Sequence, residues 1–129
     1  MSEASFQRIL VPTDLSDFAV PAMHWAAMLE GQLGAKLTLL FANEPYVPLD
    51  VLEGPAAYAL QNTPAFRDRL AREMRDYVAA HLSAIAPRVE TRIVDEAPAR
   101  AILDAAAEID ADLIVMATHG RSGWQRVVL

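Results

Sequence analysis

Leu113-Ile114-Val115-Met116-Ala117-Thr118-His119-Gly120-Arg121-Ser122-Gly123 is an apolar run that breaks into small and polar residues with two glycines three apart. A parallel strand covered on both faces reads as a continuous apolar run. A Gly-rich turn after it leaves backbone N–H groups bare at the carboxyl edge of a sheet, where open α/β sheets take up ligands, and bare N–H groups suit phosphate. The stretch therefore predicts a parallel α/β sheet with a site at its carboxyl edge. Far upstream, Arg8-Ile9-Leu10-Val11-Pro12-Thr13-Asp14 is a second apolar run, and it ends on a carboxylate that could sit beside that turn. Together the two segments point to a nucleotide site.

The segments between them fill in a fold. Residues 7–13 read as a buried strand. Residues 17–33 read as a helix with Phe18, Ala22, Trp25, Ala26, Leu29 and Leu33 as its apolar stripe. Ser16 is its expected N-cap, Pro21 must fall in its first turn, and Gly34 stops it. Residues 36–43 form a second strand. Residues 44–62 are irregular but carry Tyr46, Val47, Leu49 and Tyr58, so they suit a lid or a contact surface at a strand's carboxyl end, or a packed crossover loop. Thr63-Pro64 opens the next helix as N-cap and N1. Its buried stripe is Phe66, Leu70, Met74, Tyr77, Val78, Leu82 and Ile85, and Pro87 ends it. Residues 89–94 alternate as an edge strand does. Pro98 starts a third helix with Ile102, Ala105, Ala106 and Ile109 facing inward, and residues 112–117 are the fourth strand. The order β-α-β-α-β-α-β with right-handed crossovers gives a doubly wound parallel sheet. The strand order 3-2-1-4 follows, with the first and fourth strands flanking the crevice where the order reverses.

Composition narrows the class. The chain has 129 residues, 53% of them hydrophobic and 22% charged, which reads as one globular domain. No apolar run approaches the roughly 18–20 residues of a spanning helix, and Met1-Ser2-Glu3-Ala4-Ser5 has no basic region leading into an apolar core, so neither a membrane nor secretion is expected. Cysteine is absent, which removes disulfides and thiol chemistry and fits a cytoplasmic location. The net charge of −6 argues against nucleic acid as a partner, which needs a basic face. A small anionic ligand remains compatible, because a few N–H groups and one Arg make a local positive pocket.

With these residues in place, the chain resembles the universal stress proteins of the UspA-like group, an adenine-nucleotide alpha hydrolase-like, Rossmann-like fold. The matching stretches are Ile9-Leu10-Val11-Pro12-Thr13-Asp14 with Ser16, then Leu39-Leu40-Phe41-Ala42, then Ala111-Asp112 running into Leu113 to Gly123. The resemblance covers the whole chain, residues 1–129, as a single domain. It implies ATP, or AMP or ADP, as the ligand, with Mg²⁺ or Mn²⁺ arriving only on the nucleotide phosphates. The family's phosphate motif is Gly, two residues, Gly, nine residues, then Gly and Ser or Thr. Ala117 stands at the first Gly and Gly120 at the second. The nine residues after Gly120 reach Leu129, so the Gly-Ser/Thr pair, the final helix and the fifth strand that supports a homodimer in the family are expected to be missing from these residues.

Each candidate residue also has an ordinary reading. The resemblance places Asp14, with Pro12 and Thr13, at the adenosine part of the nucleotide, although a strand-end carboxylate also serves as a turn former. It places the backbone of Ala42 at the adenine edge, where the side chain carries no chemistry. Met116 and Ala117 lie beside the nucleotide in the same reading; Met116 alone would be assigned to the core. Gly120 and Gly123 suit phosphate contact or a plain turn. Arg121 and Ser122 offer a cation and a hydroxyl to phosphate oxygens. His119 with Asp14 and Ser122 would make a catalytic triad only by geometry, and the same residues suit a binding loop. His24 and His81 sit within helices and give no metal-ligand spacing. Trp25 is core by periodicity.

Three functions compete. The leading expectation is a stress-response protein that binds an adenine nucleotide, with no committed catalytic residue and at most slow hydrolysis. The second is an interaction protein of the same fold that binds no nucleotide, favoured by Ala117. The third, an ATPase or nucleotidyl transferase, needs a positioned base or metal clamp, and the sequence offers neither.

Overall fold

The computed structural model describes residues 6–43 and 63–117. In chain order these form β1 (Arg8–Thr13), a 3-10 turn (Asp17–Ala19), α1 (Val20–Leu33) and β2 (Lys36–Ala42). Then come α2 (Pro64–His81), a second 3-10 turn (Ala86–Arg88), β3 (Val89–Val94), α3 (Pro98–Glu108) and β4 (Leu113–Ile114). All four strands are parallel, in the order β3-β2-β1-β4. The doubly wound sheet and its strand order are those expected from the sequence.

The central strand β1 shows why. Ile9, Leu10 and Val11 are fully buried, and successive side chains of a strand point to opposite faces. Ile9 and Val11 join Met23, Ala26, Leu37, Leu39, Met74 and Val78 in a core beneath α1 and α2. Leu10 joins Leu40, Ala101, Ile102 and Ala105 in a second core beneath α3. Burying each large apolar side chain contributes roughly 1.5–3 kcal/mol, so a strand that feeds two cores holds both helix layers.

Local signals set the helix ends. The Thr63 hydroxyl accepts from Phe66 N–H at 3.2 Å, capping α2, and Pro21 falls in the first turn of α1. Gly34 closes α1 in the left-handed region at φ 65°, where its N–H reaches Glu30 O at 2.9 Å. Ser16 precedes the 3-10 turn but makes no side-chain cap; its hydroxyl bonds to Asp14 instead.

Three expectations are corrected. The helical stripe of α1 is rotated: Phe18 and Trp25 are 64% and 61% exposed, Leu33 is exposed as well, and Trp25 is not core. The sheet receives Ala22 and Ala26 of the expected stripe, together with Met23 and Glu30. Second, α2 stops at His81 rather than running to Pro87, because residues 83–85 turn and a 3-10 turn follows. Third, β4 spans two residues, not the six from 112 to 117, and Ile114 is 40% exposed. Asp112 N–H bonds to Arg8 O and Val115 N–H bonds to Leu10 O, on either side of the paired residues Ile9↔Leu113 and Leu10↔Ile114.

Two acidic groups tie the frame. Glu30, only 7% exposed, is gripped by Arg88 through Nε at 2.9 Å and Nη2 at 3.2 Å, joining α1 to the start of β3. Asp112 accepts from Gln7 N–H at 2.9 Å and Arg8 N–H at 3.0 Å, joining the amino ends of β1 and β4. Those backbone hydrogen bonds, Gln7 first, hold the Asp112 carboxyl below the usual carboxylate range. A depressed carboxyl stabilises the fold fully above its unfolded value of about 4 and loses that contribution as pH falls through the folded value. Asp112→Asn should therefore be less stable than the native chain at neutral pH, with the gap closing in acid. Urea titrations across pH would read this; a gap that stays constant as the pH is lowered would contradict it.

Candidate functional site

The carboxyl ends of β2, β1 and β4 stand side by side, and the crevice opens between β1 and β4. Its opening has a backbone cause. Residues 8 and 10 of β1 accept from β4 through their carbonyls, so in a parallel ladder residue 12 faces β4 as well. Residue 12 is proline and has no N–H to give. The β1–β4 pairing ends at Leu10 and Ile114, whereas β1–β2 pairing continues to Thr13 and Phe41. Beyond Leu10 the two strands are free to part. The crossovers leave the gap clear, since α1 departs β1 on one face and α3 approaches β4 on the other.

The loop after β1 is held rigid. Asp14 Oδ1 accepts from Ser16 N–H at 2.9 Å and from the Ser16 hydroxyl. The Thr13 hydroxyl accepts from Leu15 N–H at 3.0 Å and donates to Tyr77 Oη at 3.4 Å. Tyr77 Oη in turn donates to Ser16 O at 2.7 Å. Between these bonds Leu15 is held at φ 62°, in the left-handed region that non-glycine residues rarely adopt. A leucine persists there because the surrounding bonds over-determine the turn. Asp14 is thereby fixed, half-buried, at the lip of the crevice.

Of the residues expected at the site, the sheet brings six together: Pro12, Thr13 and Asp14 on β1 and its loop, Ala42 at the end of β2, and Met116 and Ala117 after β4. At about 4.8 Å per strand the three strand ends span roughly 10 Å, the scale of a nucleoside. Thr13 is buried and the other five are half-buried. His119, Gly120, Arg121, Ser122 and Gly123 lie outside the described residues. Among the described residues no group of three or more His, Asp or Glu is arranged to hold a metal ion.

Two features of this edge were not singled out from the sequence. Tyr77, assigned to the apolar stripe of α2, uses its ring for packing and its hydroxyl to lock the Asp14 loop. A tyrosine in an otherwise aliphatic stripe is the available signal, because a covered phenol needs a partner. At the neighbouring strand ends, Asp95 accepts from Asn43 Nδ2 at 3.0 Å and pairs with Arg67, so Arg67 belongs to this edge rather than to a solvated face. Further out, Glu96 stands beside Asp104. Hydrogen bonding to Asp104, then burial, raises the Glu96 carboxyl above the usual range. Tyr77→Phe removes one donor to the Ser16 carbonyl and one acceptor for Thr13. It should cost about 1 kcal/mol of stability, the net worth of such bonds, in urea denaturation with the fold retained by circular dichroism; no loss would mean that Tyr77 does not hold the loop.

Comparison with known proteins agrees with this arrangement. The sequence profile of the Universal stress protein family matches residues 5–129. Universal stress protein MJ0531 of Methanocaldococcus jannaschii is 26% identical over 129 residues, covering 98% of this chain and 73% of that protein. Universal stress protein UspA from Lactobacillus plantarum superposes with a TM-score of 0.69 at 29% identity, covering 97% of this chain and 86% of that one. A universal stress protein solved in complex with cAMP superposes with a TM-score of 0.61 at 26% identity, covering 88% of this chain and 73% of that one. On the match across residues 5–129 and the shared parallel sheet, this chain belongs to the universal stress protein family.

Proposed function

We propose that residues 1–129 form one universal stress protein domain that binds an adenine nucleotide, ATP first, at the carboxyl ends of β1 and β4 and serves a regulatory role in stress. The observation that carries this reading is Asp14, a carboxylate fixed by Ser16 at the point where Pro12 lets β1 and β4 part. A carboxylate so held accepts hydrogen bonds from ribose hydroxyls without reorganising, and a hydrogen bond to a charged group is worth roughly 1.5–3 kcal/mol. The Ala42 backbone at the end of β2 offers a donor and an acceptor to the edge of an adenine ring. Support also comes from the relative solved with cAMP, an adenine nucleotide.

The chemistry this site supplies is binding. A rigid carboxylate, a buried threonine and backbone groups orient a ligand, and none of the residues beside the crevice is assigned as base or nucleophile. Phosphates would extend toward the residues after Ala117, and a divalent ion would arrive with them. A cytoplasmic location suits a ligand of that kind. Hydrolysis, where it occurs, is slow. The second reading, an interaction protein of the same fold without a nucleotide, is favoured by Ala117, whose methyl stands where the family motif has glycine.

Calorimetric titration with MgATP tests both. The native chain should bind, and Asp14→Ala should bind about 10–150-fold more weakly, the factor that 1.5–3 kcal/mol represents. Absence of binding to the native chain would favour the interaction reading. Undiminished binding by Asp14→Ala would move the site away from β1.

A further inference from the structure

Among the described residues, a single side-chain oxygen is buried without a hydrogen-bond partner, Oε2 of Glu96. Leaving a buried polar atom unpaired is unfavourable, and folded proteins keep few of them. Glu96 lies in the turn between β3 and α3, one residue before the N-cap Ala97. Its carboxyl meets that of Asp104, on the second turn of α3. Two carboxylates are acceptors only and carry like charge, so neither satisfies the other. A protonated carboxyl is also a donor. One proton between the two supplies the hydrogen bond that the ionised forms lack.

The surrounding charges do not take the place of that proton. Arg100 comes no nearer to Asp104 than 4.0 Å, from a side chain that is 74% exposed. Glu108, one turn further along α3, adds negative charge, and Arg92 of β3 bonds to it at 2.6 Å. Asp95 belongs to the other face of the sheet, where Arg67 and Asn43 hold it. Toward α3 the strands β1, β2 and β4 present Leu10, Leu40, Ala42 and Met116, none of which titrates. With Glu108 committed to Arg92, the two carboxyls also lack a third ligand for a metal ion. In keeping with this arrangement, the Glu96 carboxyl is raised above the usual range, by its hydrogen bond to Asp104 first and by burial next.

We propose that one proton shared between Glu96 and Asp104 fastens the turn before α3 to the second turn of that helix, so that acidification tightens this corner of the fold. A carboxyl raised in the folded chain binds its proton more tightly there than in the unfolded chain. Its contribution therefore grows as pH falls through the folded value and is complete below the unfolded value of about 4. Above the folded value both groups are charged and the latch is open. This sense is opposite to that of Asp112, whose contribution is lost in acid. The latch also sits near the carboxyl edge of the sheet, because Asp95, the residue before Glu96, holds Asn43 at 3.0 Å next to Ala42. A fall in pH is thus an input to that edge whether or not a nucleotide binds there.

Carbon-13 NMR of the side-chain carboxyls of the 129-residue chain, followed from about pH 3 to about pH 8, reads the shared proton directly. Glu96 should titrate above the ordinary glutamate value of about 4.3. Asp104→Asn offers Glu96 a permanent amide donor, so the midpoint should fall back to the ordinary value or below it. Asp76→Asn, on α2 across the sheet, should leave it where it is in the native chain. Urea denaturation gives an independent reading. Glu96→Gln, which donates to Asp104 without a proton, should be more stable than the native chain at neutral pH, with the gap closing in acid. That reading decides the matter if Asp104→Asn fails to fold by circular dichroism. An ordinary Glu96 midpoint in the native chain, a raised midpoint that Asp104→Asn does not move, or a Glu96→Gln chain no more stable than the native one at neutral pH overturns the proposal.

Discussion

Everything in this structure hangs on β1 being buried from both sides at once. Ile9 and Val11 commit to the layer of α1 and α2, and Leu10 commits to the layer of α3. Because the alternation of a strand is strict, a slip of one residue would exchange the two cores. That register is pinned at its start by Asp112, whose carboxylate takes the N–H groups of both Gln7 and Arg8. It is released at its end by Pro12. The same strand therefore joins the two layers and opens the crevice between β1 and β4.

The sequence carried the fold well because parallel sheets concentrate their signal. Ile9-Leu10-Val11 and Leu37-Thr38-Leu39-Leu40 can hardly be anything but covered strands, and the order of elements with right-handed crossovers leaves few topologies. Pro64 and Pro98, each at the start of a helix, and Gly34 at the end of one gave boundaries correct to within a residue or two. Legibility failed where periodicity was degenerate. In α1 both the expected stripe of 18, 22, 25, 26, 29 and 33 and the stripe of 19, 23, 26 and 30 have helical spacing. Phe18, Trp25 and Leu33 looked like core, yet the sheet received Ala22, Met23 and Ala26 with a glutamate that Arg88 neutralises. No local pattern announces a buried Glu30 whose partner lies far along the chain.

For the site, the residues on strand ends were legible because strand ends are. Pro12, Thr13, Asp14, Ala42, Met116 and Ala117 fall where the doubly wound topology puts ligands. What could not be read was how Asp14 is held, since that depends on Tyr77 reaching from another helix and on Leu15 adopting a left-handed turn. The cluster of Asn43, Arg67 and Asp95 was equally hidden, because it forms only when the ends of β2 and β3 and the start of α2 meet.

The two-residue pairing of β4 has a dynamic consequence. Proteins open in cooperative pieces whose cost follows their local bonding. Here β1, β2 and β3 share ladders of six residues each, while β4 is attached by a ladder of two and by the Asp112 clasp. Amide protons of residues 113–115 should therefore exchange with solvent by a small, local opening, whereas those of Ile9 to Val11 wait for global unfolding. A molecule that touches both banks of the crevice would act on that inexpensive motion. It would slow exchange in β4 far more than in the rest of the sheet, so its grip would be registered as rigidity at one edge.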